Sequence, residues 1–195
     1  VAFRTKKLAV DITMMLLFPF LMAYQVADGL VHLVLGLVLA VCFVAHVLLE
    51  LPFFRSLKRG NWTPVRLLVT VTAILLGSAI MVMTISGLMV SGWFGSLLLG
   101  RSLHLVSTAW AYLLMAFHIG IHAFSLLKGR KGAIIMCLSM LWGVYGCIHE
   151  AFGSRLVYAT AFAYFSHGLV FGLDYLGIAM AGVCLGAFVR ERSRS

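Results

Sequence analysis

Charge is scarce in this sequence. Asp, Glu, Lys and Arg together make up 11% of the 195 residues, against about a quarter in a soluble globular domain. That scarcity excludes an ordinary soluble fold for a chain of this length. Acidic side chains are scarcer still, six against fifteen Lys and Arg, which gives a formal net charge of +9. The basic residues stand in short clusters between apolar runs, so membrane topology explains them better than nucleic acid does, and no nucleic-acid partner is expected. There are only four cysteines, Cys42, Cys137, Cys147 and Cys184. None forms a C-x-x-C or C-x-x-C-H pair, which argues against covalently attached haem, an iron–sulfur cluster or a disulfide framework. Each lies in or beside an apolar run and reads as a small buried hydrophobe. No soluble domain, linker, low-complexity segment or clear internal repeat is visible. The chain opens on Val1 rather than methionine, consistent with a natural N-terminus further upstream, and no signal-peptide cleavage pattern stands out.

What the sequence does contain is apolar length. Hydrophobic residues make up 63% of it, and the mean hydropathy is +1.07. A run of about 17–25 apolar residues crosses a bilayer as a helix, the only open element that satisfies its own backbone in lipid. Six runs meet that description, at about 8–26, 30–51, 67–90, 103–127, 133–148 and 169–189. The expected architecture is all-α: a polytopic membrane helical bundle of about six transmembrane helices, with a four-helix core, forming a single membrane domain over residues 1–195. The aromatic stretch 156–165 is expected to lie along the interface before the last span. Thirteen of the fifteen Lys and Arg residues fall on one side of such a bundle and only Arg101 and Arg155 on the other. The positive-inside rule then places both termini in the cytoplasm.

Ionisable residues inside a membrane are costly and mark function. His32 and His46 lie fourteen residues apart on the second run, and His104 and His118 fourteen apart on the fourth. Fourteen residues return a helix to within about 40° of its starting direction and advance it by about 21 Å. Each pair therefore shares a helix face, at two depths that fit two haems stacked across a hydrocarbon core of about 30 Å. The second and fourth spans of an alternating bundle run in the same direction. His32 is then expected to face His104 near the outer surface, and His46 to face His118 nearer the cytoplasm. Two imidazoles from facing helices hold a six-coordinate haem iron, and the expected cofactor is haem b, two per chain. His122, one turn beyond His118, is a second candidate: a replacement ligand, a propionate partner or a proton carrier. Gly36, one turn beyond His32, together with Gly77, Gly87, Ser107 and Ala111, makes room for a flat macrocycle, although small residues also serve ordinary helix packing. A single membrane histidine is accounted for equally well by interhelical hydrogen bonding; repetition at matched depth is what favours ligation.

Short stretches carry a family resemblance. They are His32-Leu-Val-Leu-Gly36 leading to Ala45-His46-Val-Leu-Leu, Ile85-Ser86-Gly87-Leu-Met-Val-Ser91, and His104-Leu-Val-Ser-Thr running into Phe117-His118-Ile-Gly-Ile-His122. A fourth is Leu173-Asp174-Tyr175-Leu. With these the chain resembles the flavinylation-associated membrane cytochromes, a domain-of-unknown-function family of prokaryotic b-type cytochromes. More distantly, it is similar to the diheme core of respiratory cytochrome b. The resemblance implies a haem-binding subunit that passes electrons between quinols and a redox partner containing flavin or an iron–sulfur centre, with His32, His46, His104 and His118 as axial ligands. The chain has no flavin-attachment motif, so that partner is expected to be a separate polypeptide.

Other polar residues gather at the ends of spans. Arg101 is placed to pair with an outer haem propionate, and Arg55 or Arg66 with an inner one, unless they serve topology alone. His149, Glu150 and Arg155 end the fifth span, and His167 and Asp174 begin the sixth. If those spans pack together, His149, Glu150, His167 and Asp174 are candidates for a quinone or proton site, and ordinary interfacial polarity is the plainer account. Asp174 stands out, because it lies within an apolar run where an unpaired carboxylate is expensive. The leading expectation is a membrane b-type cytochrome subunit serving an oxidoreductase. The alternative is a proton- or metal-coupled transporter using intramembrane His and Asp. A transporter site gathers polar groups near the midplane, whereas these histidines form two layers. Ten scattered methionines read as packing residues rather than a metal path.

Overall fold

A computed structural model describes residues 2–22, 28–58, 61–157 and 168–193, with side chains from residue 5 onward. The described residues are mostly helical, joined by short turns, and include no strand. Eight helices follow in order: α1 (Ala2–Met22), α2 (Gly29–Leu49), α3 (Leu51–Ser56), α4 (Pro64–Val90), α5 (Leu97–Ala123), α6 (Gly129–His149), α7 (Phe152–Val157) and α8 (Gly168–Arg192). A 3₁₀ turn, Phe124–Leu127, extends α5. Five of these, α2, α4, α5 with its 3₁₀ turn, α6 and α8, are long and apolar enough to cross a membrane. The all-α helical bundle expected from the apolar runs is therefore present. α1 has the length of a span but carries Arg4, Lys6, Lys7 and Asp11, so it is less uniformly apolar than these five. Dozens of large apolar side chains point outward along the spans, among them Leu30, Val41, Ile74, Leu138 and Leu169. Such a surface would associate in water and is the ordinary surface of a helix in lipid.

Local chemistry sets the helix starts. Asp28 caps α2 by accepting from the Leu30 amide at 3.2 Å. Thr63 caps α4 by accepting from the Arg66 amide at 3.2 Å, with Pro64 in the first turn. Ser96 accepts from the Leu99 amide at 3.4 Å at the start of α5. These caps satisfy amides that the helix cannot pair internally. They also explain why α4 and α5 begin earlier than the apolar runs at 67 and 103. The first residues of each helix, Arg66 on α4 and Arg101 on α5 among them, lie outside those apolar stretches.

The chain divides into two compact units, Val1–Trp62 and Thr63–Ser195. In the first, α1 and α2 form a hairpin, tied by an ion pair between Lys7 and Glu50 and by the Asp11 carboxylate on His46. In the second, α4 packs on α5, and α8 packs against both α5 and α6.

Glycine makes the α8 contacts close. A Cβ on Gly182 would lie 2.8 Å from that of Ala116 on α5. On the other face, a Cβ on Gly146 of α6 would lie 2.7 Å from the Asp174 carbonyl, and one on Gly143 would lie 2.8 Å from the Gly177 carbonyl. Gly120 and Gly186 sit equally tightly against the backbones of Val183 and Phe117. Gly182 and Gly186 form the small-xxx-small spacing that lets membrane helices approach backbone to backbone, where packing rather than hydrophobicity drives association. Between these helices lies a fully buried aromatic group of Tyr112, Phe152, Phe171 and Tyr175. The Tyr112 hydroxyl donates to the Tyr175 carbonyl at 2.7 Å.

Gly186→Leu is expected to destabilise this unit by about 1–3 kcal/mol or more, because a side chain there meets backbone that has no room to yield. Thermal unfolding in detergent checks this, with Gly172→Leu as the neutral comparison, since a Cβ at Gly172 meets nothing within 4 Å.

Candidate functional site

Two kinds of polar site occur within the units: individually held histidines and one cluster. His104 stands in the first turns of α5 and reaches across to α4, where its Nδ1 lies 2.9 Å from the Met83 carbonyl. A carbonyl can only accept, so Nδ1 carries the hydrogen and Nε2 the lone pair. Gly87 makes this possible. A Cβ there would come within 3.1 Å of the His104 Cε1 and 3.3 Å of its Nδ1, so the bare glycine is the seat of the imidazole. The space that the sequence reading reserved for a macrocycle at Gly87 is used by the histidine ring itself. A Cβ on Gly36, by contrast, meets nothing within 4 Å among the described residues.

His46 is held in the same way in the first unit. Its Nδ1 lies 2.7 Å from the Asp11 Oδ1 of α1, and an ionised carboxylate likewise fixes the proton on Nδ1. Sequence reasoning missed Asp11 as a partner. Its signal was a lone acid within an otherwise apolar stretch, which asks for a counterpart. His32 lies on α2 and His118 on α5, both partly buried. The His118 and His122 rings are adjacent, with centroids 4.8 Å apart, and His122 is the more exposed of the two. Arg101 is exposed in the second turn of α5, three residues before His104.

The cluster lies where α6 ends against α8. His149 is the last residue of α6, Glu150 caps it, and Asp174 sits two turns into α8. The His149 Nδ1 is 2.6 Å from the Asp174 Oδ2 and 3.8 Å from the Glu150 Oε1. Glu150 is fully buried and the Asp174 side chain is 4% exposed, whereas His149 remains 35% exposed. The close approach at Gly146, one turn before Glu150, brings these side chains together. The Tyr145 ring stacks on His149, with centroids 5.3 Å apart and planes 16° apart, and holds the imidazole flat. Arg155 does not join the acids. Its guanidinium lies over the Phe171 and Tyr175 rings, 5.5 and 5.6 Å from their centroids, a cation–π placement. His167, grouped with these residues from the sequence, lies outside the described residues, as does most of the aromatic 156–165 stretch.

The turn after Glu150 is strained. Ala151 has φ +47°, a left-handed conformation that glycine adopts freely at a helix end and that other residues adopt at a cost. Phe152, 1% exposed between Tyr112 and Tyr175, fixes the chain on the far side of the turn. The aromatic core thus imposes the left-handed turn, and the turn keeps Glu150 inside. Strain of this kind persists where the surroundings over-determine it.

Within its own unit, each of His46 and His104 therefore turns Nδ1 to an acceptor on a neighbouring helix. The second unit also holds a proton between a buried acid and a half-exposed imidazole at one end. No family model matches this chain, and neither a search of curated proteins nor one of solved structures finds a match.

Ala151→Gly is expected to stabilise the protein by about 0.5–1 kcal/mol, the left-handed cost less the extra entropy that glycine loses on folding. Ala151→Val is expected to destabilise it. Unfolding midpoints of the two variants in detergent check both signs.

Proposed function

We propose that this membrane protein is a b-type cytochrome subunit. It transfers electrons between a quinone/quinol pool and a separate redox partner, a flavin or iron–sulfur protein, with His32, His46, His104 and His118 as axial ligands to two haem b groups. The observation that carries the reading is the anchoring of His104. A histidine that ligates a metal through Nε2 characteristically gives its other ring N–H to a carbonyl or carboxylate, which fixes tautomer and orientation and raises ligand basicity. Met83 does this for His104 and Asp11 for His46. The resemblance to flavinylation-associated membrane cytochromes supports the same assignment.

Haem b, when bound, supplies a one-electron iron couple whose potential follows its axial ligands and burial. The chain's own part is to aim and hold. Gly87 and the Met83 carbonyl orient the His104 ring, Asp11 orients the His46 ring, and Gly36 leaves a helix face without a side chain. His118 and His122 supply adjacent imidazoles, one placed to ligate and the other to meet a propionate or carry a proton. Arg101 offers a guanidinium to a propionate. His149 and Asp174, with Glu150 behind them, form an acid–imidazole pair able to accept a quinol proton, and we assign His167 to the same region.

Within the second unit Lys128 and Arg190 stand at the end opposite this pair. Arg190 donates to the Ile121 carbonyl at 2.9 Å and lies over the Phe124 ring, and Lys128 lies over the same ring. We place that basic end in the cytoplasm of a prokaryote, with both termini, and the acid–imidazole pair on the outer side of the inner membrane. A proton- or metal-coupled transporter is the weaker reading. Such sites gather at the midplane, and the His149 cluster stands at a helix end.

A reduced-minus-oxidised visible spectrum with pyridine-haemochrome quantification is expected to give two b haems per chain in protein made with ample haem. His104→Ala and His46→Ala are each expected to lower that count. Met83 acts through its backbone, so Gly87→Val, which displaces the ring, is expected to shift the potential or occupancy of one haem. Absence of haem from well-folded wild-type protein would overturn the assignment.

A further inference from the structure

Outside the haem-ligand histidines, three metal-ligating side chains converge within the second unit. The His149 Nδ1, a Glu150 oxygen and an Asp174 oxygen all lie within 4.8 Å of one another. We propose that His149, Glu150 and Asp174 form a binding site for a divalent transition cation of the zinc class. The site rests on these three residues alone and stands whether or not the chain carries haem; a cation bound there replaces the proton-accepting role given above to His149 and Asp174.

The first argument is charge. Two carboxylates with 0% and 4% side-chain exposure lie beside the same imidazole. Carboxylates away from water favour a paired or metal-bound state, and a divalent cation held among these three side chains would pair with both. The second argument is geometry. Zinc takes imidazole nitrogen at about 2.0–2.1 Å and carboxylate oxygen at about 2.0–2.2 Å, in a tetrahedron, which separates ligand atoms by about 3.3 Å. The His149 Nδ1 stands 2.6 Å from one carboxylate and 3.8 Å from the other. These two distances bracket the required edge, and the Glu150 and Asp174 oxygens lie within 4.8 Å of each other. The cation would take the place of the hydrogen that His149 and Asp174 share.

The third argument is access and rigidity. Three protein ligands leave a fourth position for water or an exogenous group, as in open zinc sites. The 35% exposure of His149 gives that position a route in. Tyr145 stacks on the imidazole, and Gly146 packs against the Asp174 backbone, so ligands from two helices are held in place before any cation arrives. The donor set also sets the preference. One imidazole beside two carboxylates suits zinc and its neighbours, whereas magnesium and calcium prefer all-oxygen shells.

The test is elemental analysis of purified full-length protein in detergent. The protein is stripped with a chelator, then dialysed against micromolar zinc in the presence of millimolar magnesium. Atomic emission then reports zinc per chain, with haem iron counted separately in the same spectrum. One zinc per wild-type chain is expected. Affinity is expected to fall at least tenfold in His149→Ala and in Asp174→Asn, and to stay unchanged in His122→Ala, which tests adventitious binding by an exposed histidine. Glu150→Gln keeps the buried shape and serves if the other variants misfold. Zinc, and not magnesium, is also expected to raise the unfolding temperature of the wild type. Zinc retained equally by wild type and cluster variants, or no zinc retained by wild type, would overturn the site.

Discussion

The second unit depends on how closely α8 lies against its neighbours. In lipid there is no hydrophobic gain in bringing one apolar helix to another, so contact must come from packing and from interhelical polar bonds. Glycines at 120, 143, 146, 177, 182 and 186 remove the side chains that would keep α5, α6 and α8 apart. Once the backbones meet, long-range polar contacts become available that a looser bundle could not make. The Tyr112 hydroxyl reaches the Tyr175 carbonyl, Arg190 reaches the Ile121 carbonyl, and His149 reaches Asp174. The polar cluster is thus a consequence of the glycine seams as much as of its own residues. Its strained exit at Ala151 is held by the aromatic core that those seams enclose.

Polar side chains elsewhere follow one rule. Ser and Thr within the spans return their hydroxyls to carbonyls three or four residues back, as Thr70, Thr72, Ser86, Ser107 and Thr108 do, and so remove their own cost in an apolar medium. Histidine has no such local escape. His46, His104 and His149 each turn Nδ1 toward an acceptor on another helix. The hydroxyls are self-contained, whereas the imidazoles are held across helices with a defined tautomer. That distinction separates polar groups the membrane merely tolerates from those the fold positions.

Much of this was legible in the sequence because spans are long and composition changes sharply at their ends. The apolar runs at 30–51, 133–148 and 169–189 correspond to α2, α6 and α8 to within a few residues. The earlier starts of α4 and α5 were not read, since Thr63, Pro64 and Ser96 are polar or helix-breaking by composition and act as caps only in context. The charges at Lys6, Lys7 and Asp11 make α1 a less apolar helix than its counterparts, and two of them have partners on α2. Asp174 was legible as a misplaced acid, and its meeting with His149 and Glu150 followed once α6 and α8 were allowed to pack. The partners Asp11 and Met83 were not legible. One depends on the pairing of two helices in a hairpin. The other is a backbone carbonyl, which has no letter in the sequence.

The Met83 carbonyl shows how little a motif discloses of its mechanism. In the stretch Ile85-Ser86-Gly87, the serine returns its hydroxyl to the Val82 and Met83 carbonyls at 2.6 and 3.1 Å. The glycine bares the helix surface one turn after Met83. The same carbonyl can therefore also accept from His104, since each carbonyl has two lone pairs. A larger residue at 87 would crowd the His104 ring that reaches this carbonyl. Gly87 thus does more than let two helices pack. It exposes one backbone oxygen at the depth of one histidine, and that pairing decides which ring nitrogen faces away from α4.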